Sequence, residues 1–171
     1  MGEMGILHED DPSELIEGDI VEMSRITSYH AATVTRLDRL FFSRGLSDQA
    51  TVSVRNPVTI PRLQSEPRPD LMLLVHRDDF YRNALPEPPD VLLLIEVADS
   101  SLAYDRRTKL PLYARAGVTE SWLVDLEANR VEIYRGPTET GYRDVPMPRV
   151  DETFAPAAFP TLGLTLRDVL G

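Results

Sequence analysis

The chain has 171 residues, 42% of them apolar and 27% charged, with a formal net charge of −10. That length suits one domain of ordinary size with a full core, and no apolar run reaches the roughly 18 residues of a membrane-spanning helix. The absence of cysteine removes disulfides, thiolate metal sites and cysteine nucleophiles together, and fits a reducing, cytoplasmic setting.

Residues 1–12 read as an acidic tail, and residues 13–171 as a single domain. Residues 1–24 hold eight acids and neither lysine nor arginine. A secretory signal needs a basic start and an apolar middle, and neither is there. The remainder carries 20 acids against 18 bases. This nearly neutral body leaves room for a local basic face, although strong sequence-independent DNA binding at physiological salt is not expected. The three histidines, His8, His30 and His76, are too widely spaced to suggest a zinc cluster.

Two apolar pieces within 15–23 flank Gly18-Asp19 and predict a small hairpin. Thr27 or Ser28 is placed to cap a helix running to about Arg44, with Gly45 ending it. Ala31, Val34, Leu37, Leu40 and Phe41 recur at helical spacing and predict its buried face. Residues 50–60 alternate and are rich in β-branched side chains, which predicts a strand, with Pro57 marking an edge or irregularity. After a Pro-rich loop, Asp70 opens a short strand over 71–75. Residues 76–90 read as a surface loop.

The run 91–97 is almost continuously apolar, which predicts a central strand covered on both faces. Glu96 interrupts it. Ser100 or Ser101 is placed to cap a helix over about 102–116, ended by Gly117. Pro111 within it predicts a kink or a later start near Asp105. Residues 121–125 and 131–135 read as a hairpin. From Gly136 the chain is Pro-rich and is expected to wrap the sheet, closing with a helical turn near 165–170.

Seventeen of the 18 basic residues are arginine, and Lys109 is the single lysine. Arginine cannot deprotonate in a protein and its fork is larger than an ammonium. A site needing a compact charge, or an amine of tunable pKa, would retain lysine. Asp70 at the start of one strand, Glu96 near the end of the next and Lys109 on the following helix then line up. Two carboxylates on adjacent strands suit a hard divalent cation such as magnesium, and a lysine beside them can hold a phosphate oxygen or orient a water. Each residue alone has a plainer reading. Pro69-Asp70 is also a turn dipeptide, Lys109 could pair with Asp105 along the helix, and Tyr113 is a typical packing aromatic. An acid within a buried strand, by contrast, is costly unless paired or metal-bound.

Pro69-Asp70, Ile95-Glu96-Val97 and the stretch from Asp105 through Lys109 and Tyr113 to Val118 together resemble the Uma-two family of restriction endonucleases. Residues 15–23, 120–125, 131–135 and 152–160 continue the resemblance, which spans roughly 12–170. The family lies in the PD-(D/E)XK nuclease superfamily. The resemblance implies an α/β fold, restriction-endonuclease-like, with a central mixed β-sheet flanked by helices. It implies Mg²⁺, with Mn²⁺ as a substitute, held by Asp70, Glu96 and the Val97 carbonyl. Ala98 stands where the simple motif has lysine, so the resemblance implies a migrated lysine, Lys109.

Glu22 is a candidate for the N-terminal acid that completes such sites, with Glu14 and Glu17 as alternatives. His30, near a helix start, reads as a capping or packing residue that could support the site. Asp105 is expected to support Lys109, and Asp99 to lie in the loop. Arg106, Arg107 and Arg115 are candidate phosphate contacts. The expected activity is metal-dependent hydrolysis of nucleic-acid phosphodiester bonds, DNA first, by a homodimer if both strands are cut. The alternatives are an inactive nuclease-fold module binding nucleic acid or a protein, and a phosphoesterase acting on a small nucleotide.

Overall fold

The computed structural model describes residues 12–171; the acidic tail expected over 1–12 lies, Pro12 apart, outside the described residues. The chain opens with a two-stranded hairpin, β1 (Ser13–Ile16) and β2 (Asp19–Glu22), then helix α1 (Ser28–Ser43). The hairpin turn is Glu17-Gly18, both at positive φ, one residue earlier than its sequence suggests. Strands β3 (Ala50–Val54), β4 (Leu71–Val75) and β5 (Val91–Ala98) follow. Helix α2 (Leu102–Tyr104), a π-helical turn (Asp105–Lys109) and α3 (Leu110–Ala116) link β5 to β6 (Glu120–Asp125). Strands β7 (Arg130–Thr138) and β8 (Gly141–Asp144) and the short α4 (Leu166–Leu170) complete the domain.

The main sheet has six strands in the order β3-β4-β5-β6-β7-β8. Only β5 and β6 run parallel; every other neighbouring pair is antiparallel. This is the mixed sheet expected, with β5 central. A parallel pair needs a crossover, and the α2–α3 segment supplies it.

Strand alternation divides the core in two. Leu93, Ile95 and Val97 pack with Leu37 and Phe41 of α1 and with Trp122. Leu94 and Ala98 face the other way, with Met72, Leu110, Tyr113 and Leu123. Glu96 shares the parity of Leu94 and Ala98, so it belongs to the face that α3 covers.

Three local expectations are corrected. Strand β3 stops at Val54 because Arg55 adopts φ 56, which turns the chain out of the sheet before Pro57. Thr33 takes a buried place on α1 while Ala31 is exposed, since the helix face that meets the sheet is rotated toward Thr33. The segment after Gly136 adds β8 rather than only wrapping the sheet. Thr27 caps α1, its side chain accepting from the His30 N–H, and Gly45 follows the helix at φ 77.

Leu37 is fully buried between α1 and the sheet. Leu37→Ala is expected to lower unfolding free energy by about 2–5 kcal/mol through lost burial and a residual cavity. Urea unfolding followed by circular dichroism measures this; a loss below about 1 kcal/mol contradicts the packing described.

Candidate active site

Leu71 pairs with Ile95 and Met72 with Leu94, so the register brings Asp70 beside Glu96 at the end of β4. Pro69 has no N–H and the ladder stops there. The Asp70 side chain takes over, its Oδ2 accepting from the Val97 N–H at 2.8 Å. The N–H and C=O of an extended residue point to the same strand edge. The Val97 carbonyl therefore faces the Asp70 edge too, while the Ala98 carbonyl faces β6 and accepts from the Leu126 N–H.

Lys109 reaches this point from the crossover helix. Its Nζ lies 2.8 Å from Glu96 Oε1 and 3.0 Å from Glu14 Oε1. Tyr113, one turn on, donates to the same Glu96 Oε1 at 2.5 Å. The Leu110 N–H bonds the Asp105 carbonyl five residues back, which is the π turn. Pro111 has no N–H to continue a regular helix, and the wider turn accommodates the missing donor. Asp105 and Lys109, at either end of that turn, are both buried.

Asp70, Glu96, Lys109, Asp105 and Glu14 are each at most 7% exposed. Burial pushes the Glu96 carboxyl well above its usual range; the Lys109 ammonium opposes this, while Asp105 and Asp70 add to it. Burial pushes Asp105 up to about 6 in the same way, against Lys109 and the Ser101 hydroxyl. Burial alone would lower Lys109, but Glu96, Glu14 and Asp105 together outweigh it and hold its pKa above the ordinary value. Lys109 is therefore a fixed cation and cannot serve as a proton acceptor at neutral pH. Burial and the neighbouring Glu96 raise Tyr113 as well.

The structure sorts the other candidates. The N-terminal acid that meets Lys109 is Glu14, which also accepts from the Arg68 backbone N–H at 3.0 Å. Glu22 is exposed and lines the same cleft without touching Lys109. Glu17 pairs with Arg115 at 2.8 Å. His30 is neither the cap of α1 nor a packing residue alone: its Nε2 lies 2.9 Å from Asp70 Oδ1, and its Nδ1 is buried with no partner. Asp105 accepts from the Ser101 hydroxyl, and Asp99 from the Thr27 hydroxyl, each at 2.5 Å.

Arg106 is committed elsewhere. It lies 2.6 Å from Glu132, which also meets Arg130 at 3.0 Å and accepts from the Tyr134 hydroxyl. Sequence reasoning missed this cluster. It also underweighted Glu14, although one signal was there. In the 13–16 strand Glu14 alternates in step with Ile16, and the two share the inward face.

Asp70, Glu96, Val97, Glu14 and Lys109 line one cleft of about 140 Å³. Among the described residues no three His, Asp or Glu side chains converge on a metal position. The donor set nevertheless fits a hard cation that completes its shell with a carbonyl and waters. Four buried carboxylates, Glu14, Asp70, Glu96 and Asp105, face a single buried ammonium, Lys109. The upward shifts of Glu96 and Asp105, which favour their neutral forms, relieve part of that excess. Both Glu96 contacts use Oε1, leaving Oε2 without a hydrogen-bond partner among the described residues.

Comparison with known proteins gives the family and the fold. The sequence model of the Uma2 family, described as "Putative restriction endonuclease", matches residues 3–167. The structure is similar to the crystal structure of a protein described as a "putative nuclease belonging to DUF820" from Anabaena variabilis ATCC 29413. The TM-score is 0.75 at 17% sequence identity, covering 96% of this chain and 93% of that one. No curated protein matches the sequence.

The Asp105 shift sets a pH dependence with a definite sign. Its carboxyl ionises near 3.8 when unfolded and near 6 when folded. Between those values the folded state binds more protons, so stability falls as pH rises through the window. Asp105→Asn cannot ionise. The variant is expected to gain on the wild type by about 2–3 kcal/mol between pH 4 and 6.5. Urea unfolding at several pH values checks this, and a constant difference across the range contradicts it.

Proposed function

Because the chain belongs to the Uma2 family of restriction endonucleases, we propose that it hydrolyses phosphodiester bonds of DNA with a bound divalent cation, Mg²⁺ or Mn²⁺. The observation that carries this reading is the meeting of Asp70, Glu96 and Lys109, from two strands and a helix, in one cleft. The same arrangement, with lysine supplied from the helix after the Glu96 strand, supports placement in the PD-(D/E)XK superfamily.

Asp70 and Glu96 would hold the cation, with the Val97 carbonyl as a third oxygen. A bound cation lowers the pKa of a water and neutralises charge on the scissile phosphate. The chain's own residues do the rest. Tyr113 and Lys109 fix Glu96 Oε1 by two hydrogen bonds. His30 and the Val97 N–H fix the two Asp70 oxygens. Two of the three Lys109 donors are taken by Glu14 and Glu96. The third is available to a phosphate oxygen or to the attacking water, where a fixed positive charge favours the anionic transition state.

The site has its full complement of charged groups, which favours an active enzyme over a degraded binding module. Two copies related by symmetry would be needed to cut both strands of a duplex in one encounter. A single cleft suffices for one strand.

Cleavage of plasmid and of single-stranded DNA in Mg²⁺ and Mn²⁺ tests the reading. The wild type is expected to cut only with metal. Asp70→Ala and Glu96→Ala are expected to remove both cutting and calorimetric Mn²⁺ binding. Lys109→Arg is expected to lose about 10²-fold or more of the rate, because the longer fork does not fit between the two glutamates. Cutting that survives all three substitutions, or Mn²⁺ binding indifferent to Asp70 and Glu96, overturns the proposal.

A further inference from the structure

The cleft holds three arginines that the hydrolytic chemistry does not use: Arg25, Arg55 and Arg68. Among the described residues none of them has a carboxylate within ion-pair distance, whereas Arg106, Arg115, Arg130 and Arg135 each do. Arg55 is tied to Asp70 through the backbone. The Arg55 N–H donates to the Asp70 carbonyl at 3.1 Å, and Arg68 precedes Asp70 by two residues. Arg25 comes from the opposite wall, on the linker between β2 and α1.

Arg55 carries a second signal. It sits at φ 56, a left-handed conformation that disfavours any side chain beyond glycine or asparagine. An arginine held there, where Asn56 follows, marks a side chain retained despite local strain. Further along the wall the Tyr104 hydroxyl is buried and has no partner, so it lacks an acceptor that a ligand could supply.

The cleft is narrow for a duplex. Its volume of about 140 Å³ lies below the range of about 300–1,000 Å³ typical of small-ligand pockets. Its two walls are tied together, because the Thr27 hydroxyl of the β2–α1 linker donates to Asp99 in the turn after β5. Six carboxylates line it beside the arginines, a field that disfavours the dense charge of a double helix. Ile26 at the mouth and Tyr29 just beyond it are 46% and 44% exposed. They offer the apolar and aromatic surface on which unpaired bases stack.

We propose that Arg25, Arg55 and Arg68 hold the phosphates flanking the scissile bond of a single nucleic-acid strand, and that the cleft selects a single strand or a frayed end over an intact duplex. This rests on the hydrolytic reading for the identity of the ligand. The arginines place the strand so that its backbone passes Asp70 and Glu96, and the tied walls exclude a paired partner.

Fluorescence anisotropy with a labelled oligothymidylate, and with a hairpin duplex of equal nucleotide number, tests this in EDTA so that nothing is cut. The single strand is expected to bind at least ten-fold more tightly than the duplex. Its affinity should fall with salt at a log–log slope of about −2, since each single-strand phosphate contact contributes about 0.7. Arg55→Gln and Arg68→Gln should each flatten that slope by about 0.7. Arg55→Gly relieves the left-handed strain, so it should melt no lower than the wild type and yet lose the same binding. Equal or tighter duplex binding, or an unchanged slope in the arginine variants, overturns the inference. A wild type that binds the strand as stated but cuts nothing with Mn²⁺ supports this inference and removes the hydrolytic reading. One that cuts duplex while the arginine variants bind normally does the reverse.

Discussion

The ammonium of Lys109, set between Glu14 and Glu96, is the contact on which the site depends. It joins three parts of the chain that share no sequence neighbourhood: the N-terminal hairpin, the central strand and the crossover helix. Burying a carboxylate within β5 would be prohibitive without a partner, and Lys109 is the partner for two of them. The cost is not fully met. Four buried acids share one buried base, and Glu96 and Asp105 both sit above their usual carboxylate range because burial disfavours their charge. For both groups burial outweighs the attraction of the Lys109 ammonium.

The backbone devices around this contact are simple ones. Pro69 has no N–H to give the Val97 carbonyl across the ladder, and the Val97 N–H is taken by the Asp70 side chain. Pro111 removes a helical donor, and the crossover helix answers with the π turn that ends at Lys109. Each proline withdraws one hydrogen bond from regular structure, and in each case a site residue sits where the regularity fails. The strand register does the remaining positioning, since a slip of one residue would turn Glu96 to the α1 face.

Those residues that break a local pattern were legible in the sequence. Glu96 stood out within an apolar run, Lys109 as the lone lysine among arginines, and Asp70 after Pro69 at a strand start. The central strand was legible as a nearly unbroken apolar run, α1 by its helical period, and the crossover helix by its capping serine and Gly117. What stayed hidden were contacts decided at long range. The meeting of His30 with Asp70 spans 40 positions, and nothing near His30 distinguishes it from a capping residue. Glu14 carried a period-two hint, but one of three acids in a short hairpin cannot be chosen without knowing which face the hairpin buries. Strand β8 (Gly-Tyr-Arg-Asp) lacked the apolar run that marks β4 and β5. The left-handed turn at Arg55 was masked by the β-branched residues on both sides of it.

The charge pattern now has a structural meaning that the net value of −10 conceals. A protein with this balance is a poor general binder of polyanions, and among the described residues seven of its 17 arginines pair with its own acids, including Arg106 and Arg130 with Glu132, Arg115 with Glu17 and Arg135 with Glu120. Arginines left unpaired beside a cluster of buried carboxylates are therefore informative in a way they would not be on a basic surface. A cation in the cluster would weaken the negative field those arginines share with it, since each divalent ion cancels two carboxylate charges. Metal and phosphate binding in this cleft are then expected to be mutually reinforcing, because each supplies the opposite charge that the other lacks.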